Sequence, residues 1–167
     1  MDKQLAKLED LLHREIDAHQ RLLALVARKL KALSSADQKQ VVACLKEENQ
    51  QVQAIGELAK ARLVVVAELT QCVDPAAKEP LRLGDLAARL PEPARGRLLV
   101  LRQELRARME QLRRETGITR QAAQALVGHM HGLVRSVSEA MTGIGVYGRG
   151  GTLPRAATVI STFHTTA

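Results

Sequence analysis

The sequence predicts an all-α protein: an antiparallel helical hairpin plus a long third helix, packed as a coiled-coil-like bundle with a flexible C-terminal tail. Three observations predict it. The chain has 167 residues with one Tyr, one Phe and no Trp, so a sheet core built on aromatic and β-branched side chains has little material. Its apolar share falls on Leu, Ala and Val mixed with Gln, Glu, Lys and Arg, the composition of long helices with aliphatic seams. Along three stretches the apolar residues recur in steps of three and four, which places them on one helical face. The length suits one ordinary domain with a real core.

The first helix is expected over about residues 2–33, where Leu5, Leu8, Leu12, Ile16, His19, Leu23, Val26, Leu30 and Leu33 form the repeat. "SSADQ" at 34–38 breaks it, and Ser35 is expected to cap the next helix with Gln38 as the other half of a capping box. So short a turn folds the two helices back on each other. The second helix is expected over 36–73, with a seam of Leu45, Val52, Ala59, Leu63, Val66 and Val73, weakened at Asn49 and Gly56. Pro75 and Pro80 in "DPAAKEP" end it.

Residues 74–92 read as a connector holding a short helical piece. Pro93 suits a first turn, and the third helix is expected over 93–141. Its repeat runs through Leu98, Leu105, Met109, Leu112, Thr116, Thr119, Ala123, Leu126, Met130, Leu133 and Val137. The phase holds across "ETGIT" at 115–119, so Gly117 marks a weak turn rather than a domain boundary; it costs about 1 kcal/mol against Ala. The helical domain is therefore expected over 1–141 and a Gly-, Thr- and Ser-rich flexible tail over 142–167.

The formal charge is +7, and residues 82–120 hold ten Arg against five acidic residues. Arg95, Arg102, Arg106, Arg113 and Arg120 line up on one face of the third helix as a stripe suited to an acidic partner. Backbone phosphates would also be drawn to it, but Glu104, Glu110 and Glu115 interrupt the field and the tail offers one aromatic near "GRGG" for stacking. Nucleic acid is therefore disfavoured. Cys44 and Cys72 are far apart and read as two buried, reduced thiols. "MDKQLAKLED" lacks the apolar stretch of a signal peptide, and the longest apolar run, "LVVVA", is far too short to span a bilayer. A cytoplasmic protein with no direct membrane insertion is expected.

Nothing supports catalysis, a cofactor or a metal. His13 and His19 fall on different sectors of one helix, His129 and His131 do not share a face, and no His, Cys, Asp or Glu set has zinc spacing. Gly143, Gly145 and Gly148 in "GIGVYGRGG" spell a dinucleotide fingerprint, but they follow a helix instead of opening one. The expected downstream acid is missing too, since no Asp or Glu follows Glu139. What remains is a binding protein whose aliphatic seams leave a channel for an amphipathic client helix. Leu45, Val52, Leu63, Val66, Leu126, Met130, Leu133 and Val137 are the expected client-binding residues. A homodimer would cover the same stripes.

"LLHREIDAHQRLLALVARKLKAL" and "SSADQKQVVACLKEENQQVQAIGELAKAR", with Asp37, Glu47, Glu48 and Arg62, resemble the first two helices of the FlgN family of flagellar export chaperones. "VYGRGG" resembles the family's tail through Tyr147 and Gly150. The resemblance implies a cytoplasmic chaperone that binds the helix-forming C-terminal ends of flagellar hook-associated (hook-filament junction) proteins. It would prevent their premature assembly and deliver them to the flagellar type III export gate, with Tyr147 and Gly150 as gate-docking residues. Two departures stand beside it: "RETGIT" replaces a stretch that more often contains Asn, and the pI of 9.9 contrasts with commonly acidic secretion chaperones. The alternatives are a self-associating structural coiled coil, a chaperone for other filament components, and a basic helical nucleic-acid-binding protein.

Overall fold

The computed structural model describes residues 1–143, with side chains through Met141. Four helices follow in order: α1 (Asp2–Ser34), α2 (Gln38–Val73), α3 (Leu83–Ala88) and α4 (Ala94–Gly143). There is no strand among the described residues, and the all-α architecture of a hairpin plus a long later helix is the one observed. The chain divides into two compact units, Met1–Gln124 and a second beginning at Ala125.

In the first unit α1 is the central element. Its buried side chains include Leu8, Leu11, Leu12, Ile16, Leu22, Leu23, Leu25 and Val26, a wider sector than one seam. The width follows from its neighbours. α2 packs back along α1, while Leu98, Leu101 and Leu105 of α4 join Leu5, Leu8, Leu12, Leu69 and Leu86 in the same core. Arg97 Nε donates to Glu9 Oε1 at 2.9 Å, tying the start of α4 to α1.

The hairpin turn differs from the expected one. Ser34 and Ser35 hydroxyls donate back to the Lys31 carbonyl, so they close α1 instead of opening α2. Ala36 takes a left-handed conformation at φ 54°, its N–H bonds the Leu33 carbonyl, and the Asp37 N–H reaches the Ala32 carbonyl. This is a left-handed C-terminal cap that satisfies the last carbonyls of α1. Asp37 then serves as the N-cap of α2, its Oδ1 accepting from Gln40 N at 3.0 Å.

α2 is rotated relative to the seam read from its sequence. Cys44, Val65, Val66, Leu69 and Thr70 are buried, whereas Leu45, Val52 and Leu63 are 46%, 55% and 55% exposed. Two apolar lines compete along this helix, and the inner one is chosen by α1. Arg28 Nη2 meets Glu47 Oε1 and Lys29 Nζ meets Glu48 Oε2, each at 2.5 Å. Arg28 Nε also lies 3.3 Å from Cys44 Sγ. Cys44 is buried as expected, but Cys72 is exposed: it follows Gln71 on the outer side of the last turn, away from Leu69 and Thr70.

The connector is fastened from inside. The buried Thr70 hydroxyl donates to the Val66 carbonyl at 2.8 Å and accepts from Leu81 N at 3.0 Å. Arg89 Nη1 meets Asp74 Oδ2 at 2.6 Å, and Leu86, Ala87 and Leu90 place α3 on the core. The described part of the second unit is the C-terminal stretch of α4.

Candidate functional site

Among the described residues no group of three or more His, Cys, Asp or Glu could hold a metal ion. His19, on the apolar face, is buried with Nδ1 2.8 Å from the Glu15 carbonyl, a hydrogen-bonded core histidine. The carboxylates at 47 and 48 are occupied by cross-hairpin ion pairs. The glycine-rich stretch after α4 lies, from residue 144 on, outside the described residues.

Four residues that carried the family resemblance thus have structural work. Asp37 caps α2, and Glu47 and Glu48 pair with Arg28 and Lys29. Arg62 Nε donates to Glu15 Oε1 at 2.9 Å. The hydrogen bond to Glu47, and after it the one to Cys44, pushes the Arg28 guanidinium further above its ordinary value, so it stays cationic. Glu15 was legible only as an anomaly, a carboxylate between Leu12 and Ile16 on an otherwise apolar face. Such a residue asks for a partner, because an uncompensated buried charge is strongly destabilising.

An exposed apolar face lies on α4 beyond Ala125. Val127, Met130, Leu133, Val134, Val137 and Met141 are all exposed, and Leu126 is half-buried. At about 100° per residue they cover an arc of roughly 120°, the width of a helical face made to be buried. The remaining sectors carry His129, His131, Arg135, Ser136, Ser138 and Glu139, with Arg135 Nε 3.3 Å from Glu139 Oε1. The lines 126–133 and 130–137 repeat every seven residues, the spacing that admits a second helix. Chemically this face is suited to burial against a second helix. Burying it returns about 25 cal/mol for each Å² of apolar surface removed from water.

The other expected client residues divide. Leu45, Val52 and Leu63 form an open line on α2, with Val42 and Val64 also exposed beside it. Val66 lies in the core cluster and presents no surface. The arginine stripe is exposed throughout: Arg95, Arg102, Arg106, Arg113 and Arg120 share one face of α4. Within it, Arg106 meets Glu110 at 2.9 Å. Tyr147 and Gly150 lie outside the described residues. No helix among the described residues is long and apolar enough to cross a membrane.

The family model described as FlgN protein matches residues 1–155, nearly the whole chain and the positions of Tyr147 and Gly150 with it. No curated protein matches the chain, and no solved structure matches it.

Proposed function

Because the chain belongs to the FlgN family of flagellar export chaperones, we propose that it captures the C-terminal helical ends of flagellar hook-associated proteins on the open apolar face of α4. The carrying observation is that face: Val127, Met130, Val134, Val137 and Met141 are all more than half exposed. A client end of matching amphipathic character would bury the arc and lose the surface by which it assembles. That is how a helix-in-groove contact becomes an anti-assembly contact. The chaperone works in the cytoplasm, before export, and its own chemistry is confined to binding.

Delivery to the export gate is assigned to Tyr147 and Gly150 on the strength of the family resemblance. The heptad spacing of the α4 face also suits a second copy of the chain, so a homodimer that opens on client binding is the second reading.

Co-purification with full-length hook-associated proteins, and with versions lacking the C-terminal end, tests capture. Loss of binding with that end is expected; retained binding would count against the mode. Tyr147→Ala is expected to weaken binding to the gate while leaving client binding intact. Sedimentation of the chain with and without client distinguishes a dimer from a monomer.

A further inference from the structure

We propose that the groove between α2, α3 and α4 docks an acidic amphipathic helix of a partner protein, separately from the client face near the end of α4. The groove lies within the first unit and encloses about 510 Å³. Leu83 of α3 with Leu105 and Met109 of α4 supplies its apolar lining. Met109 is 53% exposed, an apolar side chain held in water in the middle of a row of arginines. Arg62, Arg102, Arg106 and Arg113 surround that lining, and Glu110 is the one acid among the lining residues.

The charges there are unequal. Arg62 is committed to Glu15 and Arg106 to Glu110. Arg102 and Arg113 have no ion-pair partner among the described residues, and neither do Arg95 and Arg120 on the same face. The spare positive charge therefore runs along α4 from 95 to 120, a length of about 37 Å at 1.5 Å per residue. The Arg102 guanidinium lies over Gly84 of α3, where a Cβ would meet its Cζ at 3.5 Å. A neighbouring depression lined by Leu99, Arg102 and Arg106 continues the same pattern towards the start of α4.

An apolar lining with basic walls fits a helix that has Leu-type side chains on one face and Glu or Asp beside them. A nucleic acid fits less well. Residues 1–143 contain no Phe, Tyr or Trp to stack on bases, and phosphates make no use of Leu83, Leu105 and Met109. A second copy of this chain fits less well too, because its net charge of +7 would bring like charges together.

Fluorescence anisotropy on the full chain tests the proposal with a designed helical peptide of about 26 residues, long enough to follow the stripe. The peptide carries Leu on one face and Glu on the flanks; a second carries Lys in place of Glu, and a single-stranded DNA oligomer is the third probe. The Glu peptide is expected to bind and the Lys peptide not. Arg102→Glu with Arg113→Glu is expected to weaken the Glu peptide at least about tenfold. The milder Arg102→Gln with Arg113→Gln weakens it less, Met109→Glu weakens it without removing an arginine, and Arg135→Glu leaves it unchanged. Helical circular dichroism checks each variant's fold. Equal binding of the Lys peptide, indifference to the 102/113 changes, or tighter binding of the DNA each overturns the proposal. Val134→Asp with Val137→Asp must leave the Glu peptide bound, so a failure of client capture and a failure of this site are read separately.

Discussion

Arg62 on α2 donates its Nε–H to Glu15 Oε1 on α1 across 2.9 Å, and the Glu15 side chain is only 2% exposed. The pair lies on the hairpin's inner face, where a lone carboxylate would be costly. Breaking a buried pair from one side costs about 3–5 kcal/mol. Arg62 is 23% exposed, so solvent lowers that to about 2–3 kcal/mol for Arg62→Met. Replacing both, Glu15→Leu with Arg62→Met, is expected to recover most of the loss. Urea unfolding of the two singles and the double checks this. A double variant as unstable as the worse single would show that the pair does more than neutralise a buried charge.

The hairpin turn supplies a second expectation. Ala36 sits at φ 54°, where an L side chain is strained by roughly 1 kcal/mol and glycine is not. Ala36→Gly is therefore expected to stabilise the chain by up to about 1 kcal/mol. Asp37→Ala, which removes the acceptor of Gln40 N, is expected to destabilise by about 1 kcal/mol. Opposite signs at adjacent positions, read from chemical denaturation, are the signature of this turn.

The two thiols should differ in reactivity. Cys72 is exposed and Cys44 is buried against Arg28. One equivalent of an alkylating reagent is expected to enter the native protein at Cys72, and the second only on unfolding. Mass mapping of the labelled peptides checks it; early labelling of Cys44 would contradict the packing of α1 on α2.

The helices were legible because Leu, Ala and Val recur at three and four residues over stretches too long for another structure. The rotation of α2 was not. Leu45, Val52 and Leu63 form one apolar line and Cys44, Leu58, Val65 and Leu69 another, and local pattern does not rank them. α1 ranks them, through the Glu15 on its apolar face and through Arg28 and Lys29, which look like solvated charges until the hairpin closes. The cap was missed for a related reason: Ser35 and Asp37 are both good caps two residues apart. The choice rests on a left-handed Ala36, a residue type that gives no warning of it.

The candidate site was legible as a pattern but not as a vacancy. Leu126, Met130, Leu133 and Val137 continue the seam of Leu98 and Leu105 without a break, so sequence alone treats them as one stripe. Burial separates them: Leu98 and Leu105 enter the core, while Met130, Leu133 and Val137 remain open. Val66 shows the converse, an expected client-binding residue that lies in the core.

The central claim is that the open face of α4 beyond Ala125 holds the client helix. Its most direct test is calorimetric titration of the C-terminal segment of a hook-associated protein into the chain carrying Val134→Asp with Val137→Asp. Both positions are well exposed, at 68% and 59%, so the thermal midpoint is expected to stay where it is. Affinity is expected to fall about a hundredfold or more, as for two central apolar anchors. An unchanged affinity in a fully folded variant would place the client elsewhere and contradict the account.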